Sequence, residues 1–282
     1  MASKLRSMLP GSLPAGSRDD DKPPIVFDHV CKAFGALTVL DDVSLTFARG
    51  QTTAVIGPSG TGKSVLLKHI VGLLHPDSGS VHVLGIDMSR AKHTEVYRVR
   101  KRLGMLFQDG ALFDSLCVGE NIAFPLQQHR PDLSAREKRE RVDHVLEMVE
   151  LPGLYDRATS ALSGGQRKRV GLARAIVNEP EIVLFDEPNS GLDPMTSDAI
   201  DALIHSMKEQ LGITFVVISH DIVGTINVAD RIAMLYQGKL IANGTTAEVV
   251  RSEHPILRRF LGRNLILPEH GDLTDPRLPG VP

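Results

Sequence analysis

The 282-residue chain contains no tryptophan, three tyrosines and nine phenylalanines, and it has just two cysteines. Cys31 and Cys117 stand far apart in the sequence, with no neighbouring ligand set. That excludes a disulfide framework and a cysteine zinc site, and fits free, structural thiols in a reducing compartment. Long apolar runs are missing too. Nothing approaches the roughly 18 consecutive apolar residues of a membrane-spanning helix, and the longest runs, such as residues 213–218, have strand length. The first 24 residues carry Lys4, Arg6 and an acidic run at 19–21 but no apolar region of secretory-signal length, so a disordered tail is expected there. An excess of one charge is also absent. Lys and Arg number 32 against 34 Asp and Glu, a net charge of −2, so no global basic field exists to attract nucleic acid, and no nucleic-acid partner is expected.

The chain does have 42% hydrophobic residues, enough for one large core or a core plus a smaller subdomain. Residues 25–33, 39–47 and 52–56 read as strands, and a helix begins at Gly62 or Lys63 with Val65, Leu66, His69, Ile70 and Leu73 at helical spacing. A strand at 80–84 and a basic helix around 93–102 follow. In that helix Arg98, Arg100, Lys101 and Arg102 read as a solvated face. Residues from 109 to about 172 look mainly helical, a candidate inserted lobe in which Ser134 and Glu137 form a capping box. Beyond it, strand and helix alternate: a buried strand at 181–186, a helix at 194–211 ended by Gly212, and a buried strand at 213–219. A hairpin turning at Gln237 and Gly238 comes next, then a helix through Ile256, Leu257, Phe260 and Leu261, and an extended tail over 265–282. The apolar residues of that last helix lie beyond the main pattern, so contact with a second subunit is expected of them.

Gly57, Pro58, Ser59, Gly60, Thr61, Gly62, Lys63 and Ser64 match the phosphate-loop pattern between an apolar strand and a helix. Glycines let backbone N–H groups converge on phosphate oxygens, and the helix N-terminus adds partial positive charge. Lys63 should reach the β- and γ-phosphates, and Ser64 should bind magnesium. Asp186 and Glu187 end an apolar strand. Adjacent residues there project in opposite directions, so Asp186 is assigned to the metal shell and Glu187 to the attacking water. Ser163, Gly164, Gly165 and Gln166 begin a helix. A capping box accounts for Ser163 and Gln166, whereas two glycines at a helix start cost stability unless a ligand or backbone comes close. A second phosphate, held by another copy of the chain, supplies that reason.

This combination resembles the ATP-binding cassette family of transport ATPases over about residues 25–250. The resemblance implies an α/β phosphate-loop core with an N-terminal antiparallel β subdomain and a helical subdomain at about 109–172, followed by a C-terminal helix and tail over 251–282. It implies a head-to-tail dimer closing on two ATP molecules with Mg2+, each copy offering Ser163, Gly164, Gly165 and Gln166 to the other's γ-phosphate. Phe34 then matches the adenine-stacking aromatic, and Val65 follows the phosphate loop where a threonine is commoner. Gln108 matches a magnesium-contacting, partner-sensing residue, so that Ser64, Gln108 and Asp186 form the metal set. Asp193, itself a natural helix cap, matches the segment that communicates across the dimer. His220 matches the γ-phosphate-sensing histidine, which joins Glu187 and Lys63 as catalytic residues.

Two stretches, 59–68 and 107–115, are similar to the ATPases of maintenance-of-lipid-asymmetry and Mce-type lipid transporters. That similarity implies phospholipid transport through a separate multipass permease docking near Gln108 to Leu116. It also implies an Mce-domain lipid-binding partner and a peripheral position on the cytoplasmic side of a bacterial inner membrane. An importer ATPase for amino acids or other small solutes shares the same motifs. Non-transport cassette ATPases acting on nucleic acid or ribosomes would show a second cassette, a coiled-coil insertion or a basic surface, and none is visible.

Overall fold

The computed structural model describes residues 22–262. The expected tails at 1–24 and 265–282 therefore fall outside the described residues, apart from residues 22–24. Two sheets organise the rest. Strands β1 (Ile25–Phe34), β2 (Leu37–Phe47), β4 (Ser78–Val83) and β5 (Ile86–Asp87) form an antiparallel sheet in the order β2-β1-β4-β5. The second has the order β10-β9-β3-β8-β7-β6, from β3 (Thr52–Ile56), β6 (Leu103–Leu106), β7 (Ile182–Asp186), β8 (Thr214–Ile218), β9 (Arg231–Tyr236) and β10 (Lys239–Thr245). All its pairings are parallel except the β9–β10 hairpin. The expected α/β core with an N-terminal antiparallel β unit is thus present.

The apolar strands split two cores between them, because successive residues of a strand face opposite ways. Ala54, Ile56, Val183, Phe185, Phe215 and Val217 point into a core shared with the helices. Val55, Ile182, Leu184, Val216 and Ile218 join Phe27, Phe47 and Leu66 between the sheets. Both faces being covered, these strands read as continuous apolar runs.

Helices α1 (Lys63–Ile70) and α2 (His93–Arg100) precede β6; α3 (Val118–His129), α4 (Ala135–Met148) and α5 (Gly164–Ile176) fill the stretch before β7; and α6 (Pro194–Leu211), α7 (Ile222–Val228), α8 (Thr246–Arg251) and α9 (Pro255–Gly262) follow. Ser134 caps α4 with Glu137 as expected, and Gly212 ends α6 in the left-handed conformation. Some expectations shift. Leu73 lies beyond α1 and is exposed. Leu84 leaves the strand because Leu84 and Gly85, both at positive φ, make the two-residue turn into β5. Strand β6 went unread: its four residues follow a charge run, and Gly104 interrupts their apolar character. That glycine has a packing reason, since a Cβ there would stand 2.2 Å from the Ala175 carbonyl oxygen. The stripe of α9 is also spent differently. Leu257 and Leu261 are buried in this chain's own core, with Ile256 and Phe260 against it, so the apolar face expected to meet a second subunit is covered from within.

Phe185, wholly buried and edge-on to Phe215 at 5.2 Å between centroids, anchors β7 just before Asp186. Phe185→Ala should cost about 3–5 kcal/mol, read as a lower urea midpoint at unchanged slope.

Candidate functional site

In the parallel register Val55 and Asp186 each stand opposite Ile218, so β3, β8 and β7 end side by side. The phosphate loop leaves β3, the acidic pair ends β7, and Ser219 and His220 follow β8, which places all three at the carboxyl edge of one sheet, where α/β folds bind ligands. Two glycines make the loop possible. Gly57, at φ 146, would drive a Cβ into the Leu235 carbonyl of β9, and Gly62, at φ 97, caps α1 against the Val39 carbonyl. Pro58 accepts a hydrogen bond at its carbonyl from Thr61 Oγ1, while Ser59 and Gly60 form the exposed crown. Val65 occupies the first turn of α1 and packs against the core between the sheets.

Lys63 is buried, and its Nζ donates to the carbonyls of Gly57 (2.7 Å) and Pro58 (2.9 Å). Burial pushes its pKa down, opposed by the charges of Glu187 and Asp186. Ser64 Oγ donates to Asp186 Oδ1 at 3.4 Å. Burial and then the neighbouring Glu187 charge hold the Asp186 carboxyl above the usual range. Among the described residues no cluster of three His, Cys, Asp or Glu side chains could hold a metal alone. A hydroxyl beside one crowded carboxylate fits a magnesium ion, a hard cation held by few protein oxygens together with substrate phosphates. Glu187 leaves the strand at φ 53, a rare conformation for a side chain with a Cβ, stabilised by its N–H donating to the Ile218 carbonyl. Its Oε2 lies 3.2 Å from His220 Nδ1, so the structure brings Lys63, Ser64, Asp186, Glu187 and His220 to one edge.

The remaining expected residues lie around that edge. Gln108 is exposed, and its Nε2 donates to Ser190 Oγ at 3.1 Å. That ties it to the segment after Glu187 rather than to Ser64 or Asp186. Phe34 ends β1 half exposed, with Lys32 Nζ 5.6 Å from its ring centroid. Asp193 caps α6 through Thr196. Ser163 and Gln166 form the capping box of α5. The two glycines there separate in role. A Cβ on Gly165 would lie 2.5 Å from Thr196 Cγ2, so this glycine is demanded within the chain; Gly164 meets only Leu192, at 3.7 Å. Close approach of a foreign group is therefore required only to explain Gly164.

Sequence reasoning missed two anchors of the acidic segment. Buried Lys168 on α5 donates to the carbonyls of Glu187, Pro188 and Ser190. In sequence it is the middle of three consecutive cations, Arg167 to Arg169, which look alike until their directions on the helix are known. On α6, Asp201 is 6% exposed and accepts from Asn189 Nδ2 at 2.9 Å, while its Oδ2 has no partner. Gly224, on the helix capped by Asp221, packs against both carboxyl groups. Asn189, two residues after Glu187, carries no sequence signal of this contact.

A family described as ABC transporter matches residues 40–190. The probable ribonucleotide transport ATP-binding protein mkl of Mycobacterium tuberculosis is 40% identical over 244 residues, 86% of this chain and 68% of that protein. The methionine import ATP-binding protein MetN of Geobacillus kaustophilus is 41% identical over 250 residues, 87% and 72% of the two chains. The intermembrane phospholipid transport system ATP-binding protein MlaF of Escherichia coli is 40% identical over 227 residues, 80% and 84%. A solved dimer of the ATP-binding cassette MJ0796 in a post-hydrolysis state, bound to ADP and Pi, superposes with a TM-score of 0.72 at 32% identity, covering 79% of this chain and 98% of that one.

Burial, with lesser repulsion from Asp221 and Asp198, raises the Asp201 pKa to about 6 from 3.8. The folded state thus binds this proton more tightly than the unfolded one, and stability falls as pH rises from 3.8 to about 6 and is flat above. Asp201→Asn keeps the acceptor for Asn189 but cannot ionise. It should be more stable than the parent by about 1–3 kcal/mol at pH 7.5, with the difference closing toward pH 4 in melts across that range.

Proposed function

The chain belongs to the ABC transporter family of ATP-binding proteins and hydrolyses ATP with Mg2+ to drive transport, and from that premise we propose that its cargo is a phospholipid or related lipid moved by a separate multipass permease. The reading rests on the stretches 59–68 and 107–115 and on the likeness to MlaF, which extends over 84% of that protein. An importer of amino acids is the rival that the likeness to MetN favours. No helix among the described residues is long and apolar enough to cross a membrane, so the lipid path is assigned to the permease, with the chain lying against the cytoplasmic face of a bacterial inner membrane. An Mce-domain protein is the proposed lipid-binding partner. The permease is proposed to dock along Gln108 to Leu116 and into the adjoining apolar cleft of about 420 Å³, where Leu67, Leu73, Met105 and Phe107 meet beside Ser64 and Asp186.

Family members work as dimers with membrane permeases, and the carboxyl-edge geometry together with the family resemblance supports the following mechanism. The observation that carries it is Glu187 facing His220 at 3.2 Å beside the phosphate loop. Lys63 exchanges the Gly57 and Pro58 carbonyls for the β- and γ-phosphates. Ser64 and Asp186 would hold magnesium, with Gln108 joining them only on release from Ser190, and the ion would supply charge neutralisation at the phosphates. Glu187 orients the attacking water and takes its proton, and His220 holds the γ-phosphate side of that pair. Phe34 stacks on adenine. Ser163, Gly164 and Gln166 of one copy complete the site of the other, and Asp193 lies at the joint between them. Closure of the dimer on two nucleotides sets the permease in one state, and hydrolysis resets it.

Glu187→Gln should bind ATP normally, lose about 10²–10⁴-fold in kcat and trap a closed dimer. A variant that stays monomeric at saturating Mg-ATP with the permease present contradicts the scheme. Gentle affinity purification from membranes should recover an Mce-domain protein and phospholipid, and a periplasmic solute-binding protein in their place would transfer the assignment to the small-solute importers. Nucleic acid should leave the ATPase rate unchanged.

A further inference from the structure

Lys168 is 4% exposed, and its polar contacts are all backbone carbonyls: Glu187 at 3.3 Å, Pro188 at 2.5 Å and Ser190 at 2.7 Å. An ammonium has three N–H donors, so one side chain is fully occupied in gripping a single short turn. Burying such a cation without a carboxylate against it is costly, and an apolar side chain of similar volume would serve plain packing as well or better. Burial accordingly pushes the Lys168 pKa down, with Asp109 and Glu187 opposing.

The position of the grip matters more than its strength. Lys168 sits five residues after Ser163 in sequence, on the same helix α5 that begins at Gly164. Its three acceptors lie in the turn that starts at Glu187, a residue held at φ 53. The same turn is fastened on its other sides by Gln108 Nε2 to Ser190 Oγ and by Asn189 Nδ2 to Asp201. A shift of α5 along or about its axis therefore moves the carbonyl of the residue that faces His220. In the head-to-tail reading, on which this inference rests, the N-terminus of α5 meets one nucleotide while Glu187 of the same copy serves the other.

We propose that Lys168 is a positioning residue that couples the two composite sites, passing the seating of Ser163 on one nucleotide to the Glu187 turn that hydrolyses the second. Lys168 touches neither nucleotide. It acts through backbone geometry, so its loss should spare binding and damage both turnover and the communication between sites.

The test uses the full chain with its membrane partners. Lys168→Met keeps the length of the stem and removes the donors. It should lower kcat about tenfold or more, leave the Kd for ATP within about twofold, and bring the Hill coefficient for ATP from near 2 toward 1. Lys168→Gln, which retains two donors, should recover part of both losses, and provides the measurement if Lys168→Met does not fold. Ser163→Ala combined with Lys168→Met should be little slower than Ser163→Ala alone, because the two residues act in series. Parental kcat and Hill coefficient in Lys168→Met overturn the proposal, as do a lowered kcat with an intact Hill coefficient or independent, additive losses in the double variant. Glu187→Gln in the same assay separates the two levels. If it fails to dimerise, the head-to-tail reading falls; if it dimerises while Lys168→Met behaves as the parent, only the role of Lys168 falls.

Discussion

Everything in this protein hangs on the lateral alignment of three parallel strands. Hydrogen bonding of β3 to β8 and of β8 to β7 brings Val55, Ile218 and Asp186 level. The residues that follow have no choice but to emerge together at one edge. A slip of two residues in either pairing would preserve which side chains face which core and still separate Lys63 from Glu187 by roughly 7 Å more. The apolar filling, with Phe185 against Phe215 on one face and Leu184 with Val216 on the other, is what resists such a slip.

The same edge concentrates charges that disagree. Asp186 and Glu187 repel one another, Lys63 is desolvated, and Lys168 is buried beneath the turn. Each of these is unfavourable alone. Together with the positive φ of Glu187, they describe a site whose strain is held by a well-filled core and eased by a phosphate-bearing, cation-bearing ligand, which is how local cost and function are usually linked.

Elements with strong period and clear punctuation were legible from sequence. The strand at Thr52–Ile56 and the helix Pro194–Leu211, with proline at its start and Gly212 at its end, stand where they were read. Lys63, Ser64, Asp186, Glu187 and His220, widely separated in sequence, lie together at the carboxyl edge. Three things were not legible, each for a physical reason. Strand β6 is four residues long and contains Gly104, whose value lies in a contact with α5 far away in sequence. Lys168 and Asp201 look like ordinary surface charges because burial of a helix face depends on what packs over it. The Gly164 and Gly165 pair looked like one signal, yet Gly165 answers to Thr196 in the same chain. Tertiary contacts, not local pattern, decide all three.

The clasp between Gly165 and Thr196 also acts as a ruler. Thr196 is tied to Asp193 by two hydrogen bonds, Gly165 to Ser163 through the capping turn, and 2.5 Å separates Thr196 Cγ2 from where a Cβ on Gly165 would be. The starts of two helices, remote in sequence, are thereby cut to a fixed pitch, like adjacent teeth on one gear. A surface that accommodates the first tooth must accommodate the second at that spacing, and neither can be retuned without moving its neighbour.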